Sequence, residues 1–265
     1  MRAALFLLCA LLGPALTAAA ALPPPQVHGA SAILVDVNSG RVLFNKNSRE
    51  RRAVASTQKL LTALIIAESG NLWSRVTIKP EDTAAAPTKL YLKPGQTYSR
   101  FELLQALLVK SPNDVAGALA RDNAGSIEAF SAKMNRRARQ MGATSSRFLN
   151  PSGLPAEGQF STARDVAIIA RNAYANPVIR QIVATPRTEF RFADGRVRQL
   201  VNTNRVLHQA PWCTGMKTGF TNAAGHCLVS SGRSNGRDVI AVVLGSNKAN
   251  VWRDSRNLLE WGLRL

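Results

Sequence analysis

Residues 31–36 read Ser-Ala-Ile-Leu-Val-Asp, Asn38-Ser-Gly40 follows, and residues 41–45 are again apolar-rich. That order predicts a strand, a turn and a second strand, which form a hairpin. From Ser56 the pattern changes. Leu60, Leu61, Leu64, Ile65 and Ile66 leave little polar face, so a helix buried at the centre of a core is predicted, stopped by Gly70 and Asn71. Pro80, Pro87 and Pro94 break residues 73–98 into short strands and loops. Helical spacing then dominates. Ser99 caps 101–109, 113–121 follows, 126–141 ends at Gly142, and a helix from Ser161 or Thr162 reaches residue 175, halted before Pro177. Strand signals return at 189–193, 196–201, 214–218, 226–230 and 239–244, and residues 251–261 close the chain as a helix. Strands at both ends with helices between predict an α/β (α+β) domain. Its antiparallel sheet comes from both chain ends, and the helices are inserted. A cleft between sheet and helices is the natural site.

Residues 1–22 stand apart. Arg2 precedes a short apolar run, Gly13 and Pro14 break it, and small residues follow from Thr17 to Ala21. This is the order of a secretory signal peptide, and the run is too short to span a bilayer. The expected division is a signal peptide over 1–22, a linker over 23–29 opened by Pro23-Pro24-Pro25, and one domain over 30–265. A periplasmic or secreted location follows. Cys213 and Cys227 are then the thiols left, and they are expected to stay unbonded because their cross-strand register is unspecified.

Composition narrows the partners. The 265 residues are 46% hydrophobic, enough for a packed core, and carry 34 Lys+Arg against 16 Asp+Glu, a net charge of +18. Such a balance suits anionic surroundings, including peripheral contact with an envelope surface. Nucleic acid is not expected as a partner. The arginines are scattered, the 133–139 basic cluster lies on one helix face, and no aromatic residues interleave for base stacking. His28, His208 and His226 lack metal-ligand spacing, and no glycine-rich phosphate loop is present, so no metal or cofactor is expected.

Three short motifs carry chemistry. Ser56-Thr57-Gln58-Lys59 opens the buried helix, where i and i+3 share a face, so Lys59 can reach the Ser56 hydroxyl. Burial and nearby positive charge would leave that lysine neutral and able to take the serine proton. Ser111-Pro112-Asn113 joins two helices, and its hydroxyl and carboxamide can face a cleft; Pro112 keeps Ser111 out of the right-handed helical region. Lys217-Thr218-Gly219 lies on a strand, where Lys and Thr can grip a carboxylate and Gly admits a close approach. Singly, each motif reads equally well as a cap, a turn or an edge-strand lysine.

Together, in the order S-x-x-K, S-x-N, K-T-G, they resemble the signature of penicillin-binding proteins and class A β-lactamases. The resemblance extends to residues 32–46, to Arg147-Phe-Leu-Asn-Pro-Ser-Gly-Leu154, to Ser161-Thr-Ala-Arg-Asp165 and to Asn202-Thr-Asn204. It is to the low-molecular-mass penicillin-binding proteins, the serine D-alanyl-D-alanine carboxypeptidases and endopeptidases. Residues 217–229 are particularly similar to the endopeptidase branch. The resemblance implies a β-lactamase/transpeptidase-like fold over 30–265. It implies peptidoglycan peptides as substrates and β-lactams as covalent inhibitors. It makes Ser56 the acylated nucleophile, Lys59 its base, Ser111 and Asn113 the second motif, Lys217 a support for the Ser111 proton path and Thr218 a carboxylate ligand beside Gly219. The N–H groups of Ser56 and Phe220 would form the oxyanion hole, and Arg253 would bind carboxylate. A β-lactamase is the nearest alternative, yet Ser146 stands where class A enzymes place the deacylating glutamate, and Glu128 and Glu157 fit that place poorly. A non-catalytic basic wall-binding protein is the other alternative; every motif position being filled argues against it.

Overall fold

The computed structural model describes residues 22–265, and the expected signal peptide lies almost wholly outside them. The first half runs β1 (Ser31–Asp36), β2 (Val42–Lys46), α1 (Lys59–Glu68), β3 (Arg75–Thr77), α2 (Pro80–Thr83), β4 (Thr97–Ser99), α3 (Arg100–Lys110), α4 (Asn113–Ala124) and α5 (Ile127–Gln140). The second runs α6 (Ala163–Ala175), α7 (Pro177–Val183), β5 (Arg187–Arg191), β6 (Val197–Val201), α8 (Arg205–Gln209), β7 (Cys213–Thr221), β8 (Gly225–Ser234), β9 (Arg237–Ser246) and α9 (Asn250–Arg264).

Both chain ends meet in one antiparallel sheet of five strands, ordered β2-β1-β9-β8-β7. Alternation decides which residues go where. Ile33, Val35, Ile240, Val242 and Leu244 face one core, while Ala32, Leu34, Val239, Ala241 and Val243 face the other. Both faces are therefore covered, by α6 and the helical layer on one side and by α9 on the other, which is why these strands read as continuous apolar runs. Helix α1 is buried from Lys59 to Ile66 and packs against α3, α4, α5 and α6. The helical layer is thus organised around the helix that carries the first motif.

Some expectations need correcting. The strands predicted at 189–193 and 196–201 do not join the main sheet; β5 and β6 pair only with each other. Pro177 starts a helix rather than merely closing one. Asn176 Oδ1 accepts from Val178 N and Ile179 N, and proline at the first position loses no intrahelical bond. The end of the 23–29 stretch is docked onto the domain: Asp254, fully buried on α9, accepts the His28 and Gly29 N–H groups, and Lys46 Nζ donates to Val27 O. Cys213 and Cys227 are free, opposite Gly232 and Gly219 respectively and in different cores. Six strand positions, roughly 20 Å, would separate them.

Candidate active site

Ser56 lies not in α1 but in the single 3-10 turn Ala55–Gln58 that leads into it. In a 3-10 turn residues i and i+3 eclipse, so the side chains of Ser56 and Lys59 stack directly. Lys59 Nζ donates to Ser56 Oγ at 2.9 Å, to Asn113 Oδ1 at 2.7 Å and to Ser152 O at 2.8 Å. The geometry has a chemical consequence. An ammonium fills all three bonds. A neutral amine keeps two donors for the fixed acceptors Asn113 Oδ1 and Ser152 O, and turns its lone pair to Ser56 Oγ. Deprotonation therefore converts the same arrangement into nucleophile and base.

The loop after α5 fastens this turn. Carbonyls of three consecutive residues, Asn150, Pro151 and Ser152, accept from Gln58 Nε2 at 2.6 Å, Thr62 Oγ1 at 2.7 Å and Lys59 Nζ. Asn150 Oδ1 shapes the loop by accepting from Ser152 N and Gly153 N at 3.1 and 2.8 Å, an Asx turn. Gly153 sits at φ +83° with its open side against the Ala55 carbonyl, where a Cβ could not fit.

The second motif is a bend between helices. Ser111 ends α3 in the left-handed region at φ 69°, its N–H bonded to Leu107 O at 3.1 Å, and Pro112 opens α4. Its Oγ is buried and has no hydrogen-bond partner among the described residues, so the hydroxyl is free to serve an incoming group. Asn113 is fully engaged. While Oδ1 accepts from Lys59, Nδ2 donates to Ala86 O at 3.1 Å and Pro87 O at 3.0 Å. It pins the 86–88 loop to the catalytic lysine, and both its amide hydrogens are taken.

The third motif lies on β7, the edge strand. A Cβ on Gly219 would stand 2.8 Å from Ser56 N and 3.0 Å from Ala55 Cβ, so glycine is what lets the strand run against the start of the helix. Lys217 is 1% exposed and donates to Thr218 O at 2.9 Å. Thr218 Oγ1 pairs with Thr203 Oγ1 at 2.6 Å. Phe220 is 56% exposed and tilts against His226, with ring centroids 4.5 Å apart.

Two buried lysines share this small volume. Burial holds Lys59 well below the ordinary lysine range, and the charge of Lys217 pushes the same way, with Asp114 opposing. Burial alone lowers Lys217 to about 7. Ser56, Ser111, Asn113, Thr218, Gly219 and Phe220 line one cavity of about 430 Å³ between the helices and the edge strand.

Residues 17–248 match the D-alanyl-D-alanine carboxypeptidase family, peptidase S11. The carboxypeptidase DacB2 of Mycobacterium tuberculosis is 37% identical over 93% of this chain and 86% of its own length. The chain belongs to this family. The carboxypeptidase DacF of Bacillus subtilis is 36% identical over 82% of the chain, which spans only 57% of that relative. The D-alanyl-D-alanine endopeptidase of Escherichia coli is 32% identical over 92% of the chain and 80% of its length. Among solved structures, a D-alanyl-D-alanine carboxypeptidase from M. tuberculosis superposes with a TM-score of 0.88 at 36% identity, covering 93% of this chain and 95% of the other. The Streptomyces K15 DD-transpeptidase gives 0.87 at 27% identity, covering 92% and 100%.

One expected site residue is not brought in. Arg253 is exposed on α9, donates to Asn250 Oδ1 at 2.7 Å and lies 3.5 Å from His28 Nδ1, off the cavity wall. The wall carries Arg205 and Lys248 instead, with Lys110, and no acid among its lining residues. Ser146, at the place of a deacylating glutamate, bonds Ser161 Oγ and Asp165 Oδ2 away from the cavity. Sequence reasoning missed the Ser152 carbonyl, which no side-chain motif encodes, and Thr203, whose place in Asn202-Thr-Asn204 before the third motif was the available signal.

Proposed function

We propose that this chain is a serine D-Ala-D-Ala carboxypeptidase acting on peptidoglycan stem peptides through an acyl-enzyme on Ser56. The observation that carries the reading is the 2.9 Å contact between Ser56 Oγ and Lys59 Nζ, a lysine that is 0% exposed and held below its ordinary pKa. Neutral Lys59 takes the Ser56 proton as Oγ attacks the carbonyl of the penultimate D-alanine. The N–H groups of Ser56 and Phe220 receive the developing oxyanion. The C–N bond breaks, Ser111 hands its proton to the departing amine as the proton taken by Lys59 replaces it, and Lys217 supplies the charge that steadies that transfer. Water then frees the acyl group. Thr218, aligned by Thr203, binds the terminal carboxylate, and Arg205 and Lys248 supply the long-range attraction first expected of Arg253. Asn113 acts as a positioning residue, because its amide hydrogens are committed to the 86–88 loop.

The absence of an acid among the cavity-lining residues argues against the β-lactamase alternative. Residues 217–229 favour a second activity, cleavage of cross-links, whereas the carboxypeptidases DacB2 and DacF are the more identical of the relatives compared, at 37% and 36% against 32%. The chain would work in the periplasm or outside the cell after loss of residues 1–22, and β-lactams would acylate it.

The test is labelled penicillin followed by peptide mapping. Label is expected on Ser56 and is lost in Ser56→Ala; label on another residue overturns the assignment. Incubation with monomeric and cross-linked muropeptides then separates the activities, since release of D-alanine with dimers persisting leaves carboxypeptidase alone.

A further inference from the structure

Asp114 follows Asn113 in the first turn of α4 and is 1% exposed. Asp82 and Asp122 pair with Arg121 and Arg100, whereas Asp114 has no ion-pair partner among the described residues. Backbone amides stand in for a cation. Leu90 N donates to both carboxylate oxygens at 3.0 Å, and Tyr91 N and Leu92 N donate to Oδ2 at 2.8 and 3.3 Å. Tyr91 sits in the left-handed region at φ 63°, which a tyrosine rarely adopts. There it turns three successive N–H groups to one side, a concave nest for an anion.

The segment held in this way forms part of the cleft. Residues 84–96, between α2 and β4, are neither helix nor strand, and Pro87 and Thr88 line the catalytic cavity. Asn113 N donates to Thr88 O at 2.7 Å, and Asn113 Nδ2 donates to the Ala86 and Pro87 carbonyls. Asp114 takes the amides that come next. Two neighbouring side chains therefore grip one loop, the first by its carbonyls and the second by its N–H groups. The same Asn113 accepts from Lys59 Nζ at 2.7 Å through Oδ1.

Resting on the DD-peptidase reading above, we propose that Asp114 is a positioning residue for acyl transfer: it clamps the Pro87–Thr88 wall, keeps Asn113 Oδ1 on Lys59, and places a negative charge behind the base. The charged groups acting on Lys59 are Lys217 on β7 and Asp114 on α4; α3, α5, α6 and α7, the other helices packed on α1, present none to it among the described residues. A base must be neutral before the proton moves and charged afterwards. Burial and Lys217 favour the neutral amine, and Asp114 favours the ammonium. Asp114 thus stabilises the charge that develops on Lys59 as Ser56 Oγ attacks.

Penicillin acylation of Ser56 is measured against pH for the wild type, Asp114→Asn and Asp114→Glu, with circular dichroism as the folding control. Asp114→Asn keeps the size, removes the charge and turns an amide donor toward the loop N–H groups. Its plateau rate is expected to fall by about 10- to 100-fold, the cost of misplacing a catalytic group. Its midpoint should move to lower pH, because the only group holding Lys59 protonated is gone. Asp114→Glu keeps the charge, so its midpoint should stay at the wild-type value while overpacking lowers its plateau. A loop that merely loosened would admit water to Lys59 and leave the midpoint in place or raise it. On the unaltered protein, amide hydrogen exchange should show Leu90, Tyr91 and Leu92 protected together, and this measurement carries the test if a variant does not fold. A wild-type plateau in Asp114→Asn, a midpoint that stays or rises, or free-loop exchange at the three amides overturns the proposal while leaving the DD-peptidase reading intact. No acylation of Ser56 in the wild type overturns that reading and the role of Asp114 with it.

Discussion

The helical wall of the cleft and its strand wall are held by different means. On the helical wall the base and the groups that hold it have fixed partners, and only the Ser111 hydroxyl among the motif side chains is left free. Lys59 has three acceptors, Asn113 bonds Lys59 and two carbonyls of the 86–88 loop, and Gln58 and Thr62 hold a second loop through the Asn150 and Pro151 carbonyls. On the strand wall Lys217 and Thr218 each have one side-chain hydrogen bond, and Phe220, Arg205 and Lys248 are exposed. The difference assigns the walls different work. Proton transfer needs a base held in one position, and over-determination supplies it. Recognition of a flexible peptide end needs reach, which exposed side chains supply at the cost of strength.

The comparison is broken most severely at Lys59. Lys59→Arg keeps the charge and approximate length, but a guanidinium is never neutral in a protein. Penicillin acylation is expected to fall by roughly 10³- to 10⁴-fold, the range for loss of a positioned base, with circular dichroism unchanged. In the wild type the acylation rate should rise with pH as Lys59 loses its proton, through a midpoint well below the ordinary value of 10.5 because burial and Lys217 both disfavour the charged form. A folded variant acylating near the wild-type rate would falsify the base assignment.

Gly219→Ala probes where the walls touch. The added Cβ meets backbone nitrogen at 2.8 Å, which a side-chain rotation cannot relieve. The edge strand or the 3-10 turn must shift by a few tenths of an ångström. Such overpacking costs about 1–3 kcal/mol, and displacement of the oxyanion donors adds about 10- to 100-fold in acylation. Thermal unfolding and acylation kinetics should worsen together; an alanine variant with wild-type acylation would show that the strand does not set the donor geometry.

How legible was all this in the sequence? The hairpin, the buried helix, the capped helices and the last strands follow from period and caps, because each is a local pattern with a hydrophobic face. Ser99 with Glu102 and Thr162 with Asp165 are bonded as caps in the structure. The separate β5–β6 hairpin was not legible, since strand signals name no partner. Nor was α7, because proline stops one helix and starts the next with the same residue. The motif side chains named in the sequence line one cavity apart from the buried Lys59 and Lys217 beneath it. The groups that hold them, the Ser152 carbonyl and the 86–88 loop, act through backbone and leave no trace in residue identity. Arg253 illustrates the converse. A position near the chain end suggested a role, but Asn250 one helical turn earlier draws the guanidinium away.

Stability should also follow the lysines. Lys217 has its folded pKa lowered to about 7 against 10.5 for the free group, so between those values the unfolded chain binds more protons than the folded one. Stability therefore rises with pH across that window. His226, lowered by burial and by Lys248 and Arg205, acts in the same direction at lower pH. Cys213 and Cys227, raised to about 11 from 9.0, act oppositely: above about pH 9 the unfolded chain loses thiol protons that the fold retains. The urea midpoint should climb from pH 6.5 to 8.5 and flatten beyond. Lys59, lowered by burial and by Lys217, contributes in the same direction, so Lys217→Met should reduce the climb without abolishing it; a climb of undiminished slope would assign it to other groups.

The smallest effects are expected at the exposed cations, and here the comparison sharpens. Arg205 lines the cavity, with its guanidinium 5.5 Å from the Trp252 ring, whereas Arg253, on the same helix as Trp252, faces His28 and Asn250. An exposed cation attracts a carboxylate by about 1 kcal/mol or less, so Arg205→Ala should raise KM for a D-Ala-D-Ala peptide by about fivefold at most. It should leave kcat nearly unaltered, because the attraction acts before chemistry begins. Arg253→Ala should change KM by less than about twofold. The two also separate by salt. A steering charge is screened over about 8 Å at physiological ionic strength, so the KM of wild type should climb with added salt and converge on that of Arg205→Ala, while Arg253→Ala tracks wild type throughout. If Arg253→Ala shows the larger KM effect, the carboxylate is drawn from the far side of α9, and the strand wall has been given the wrong cation.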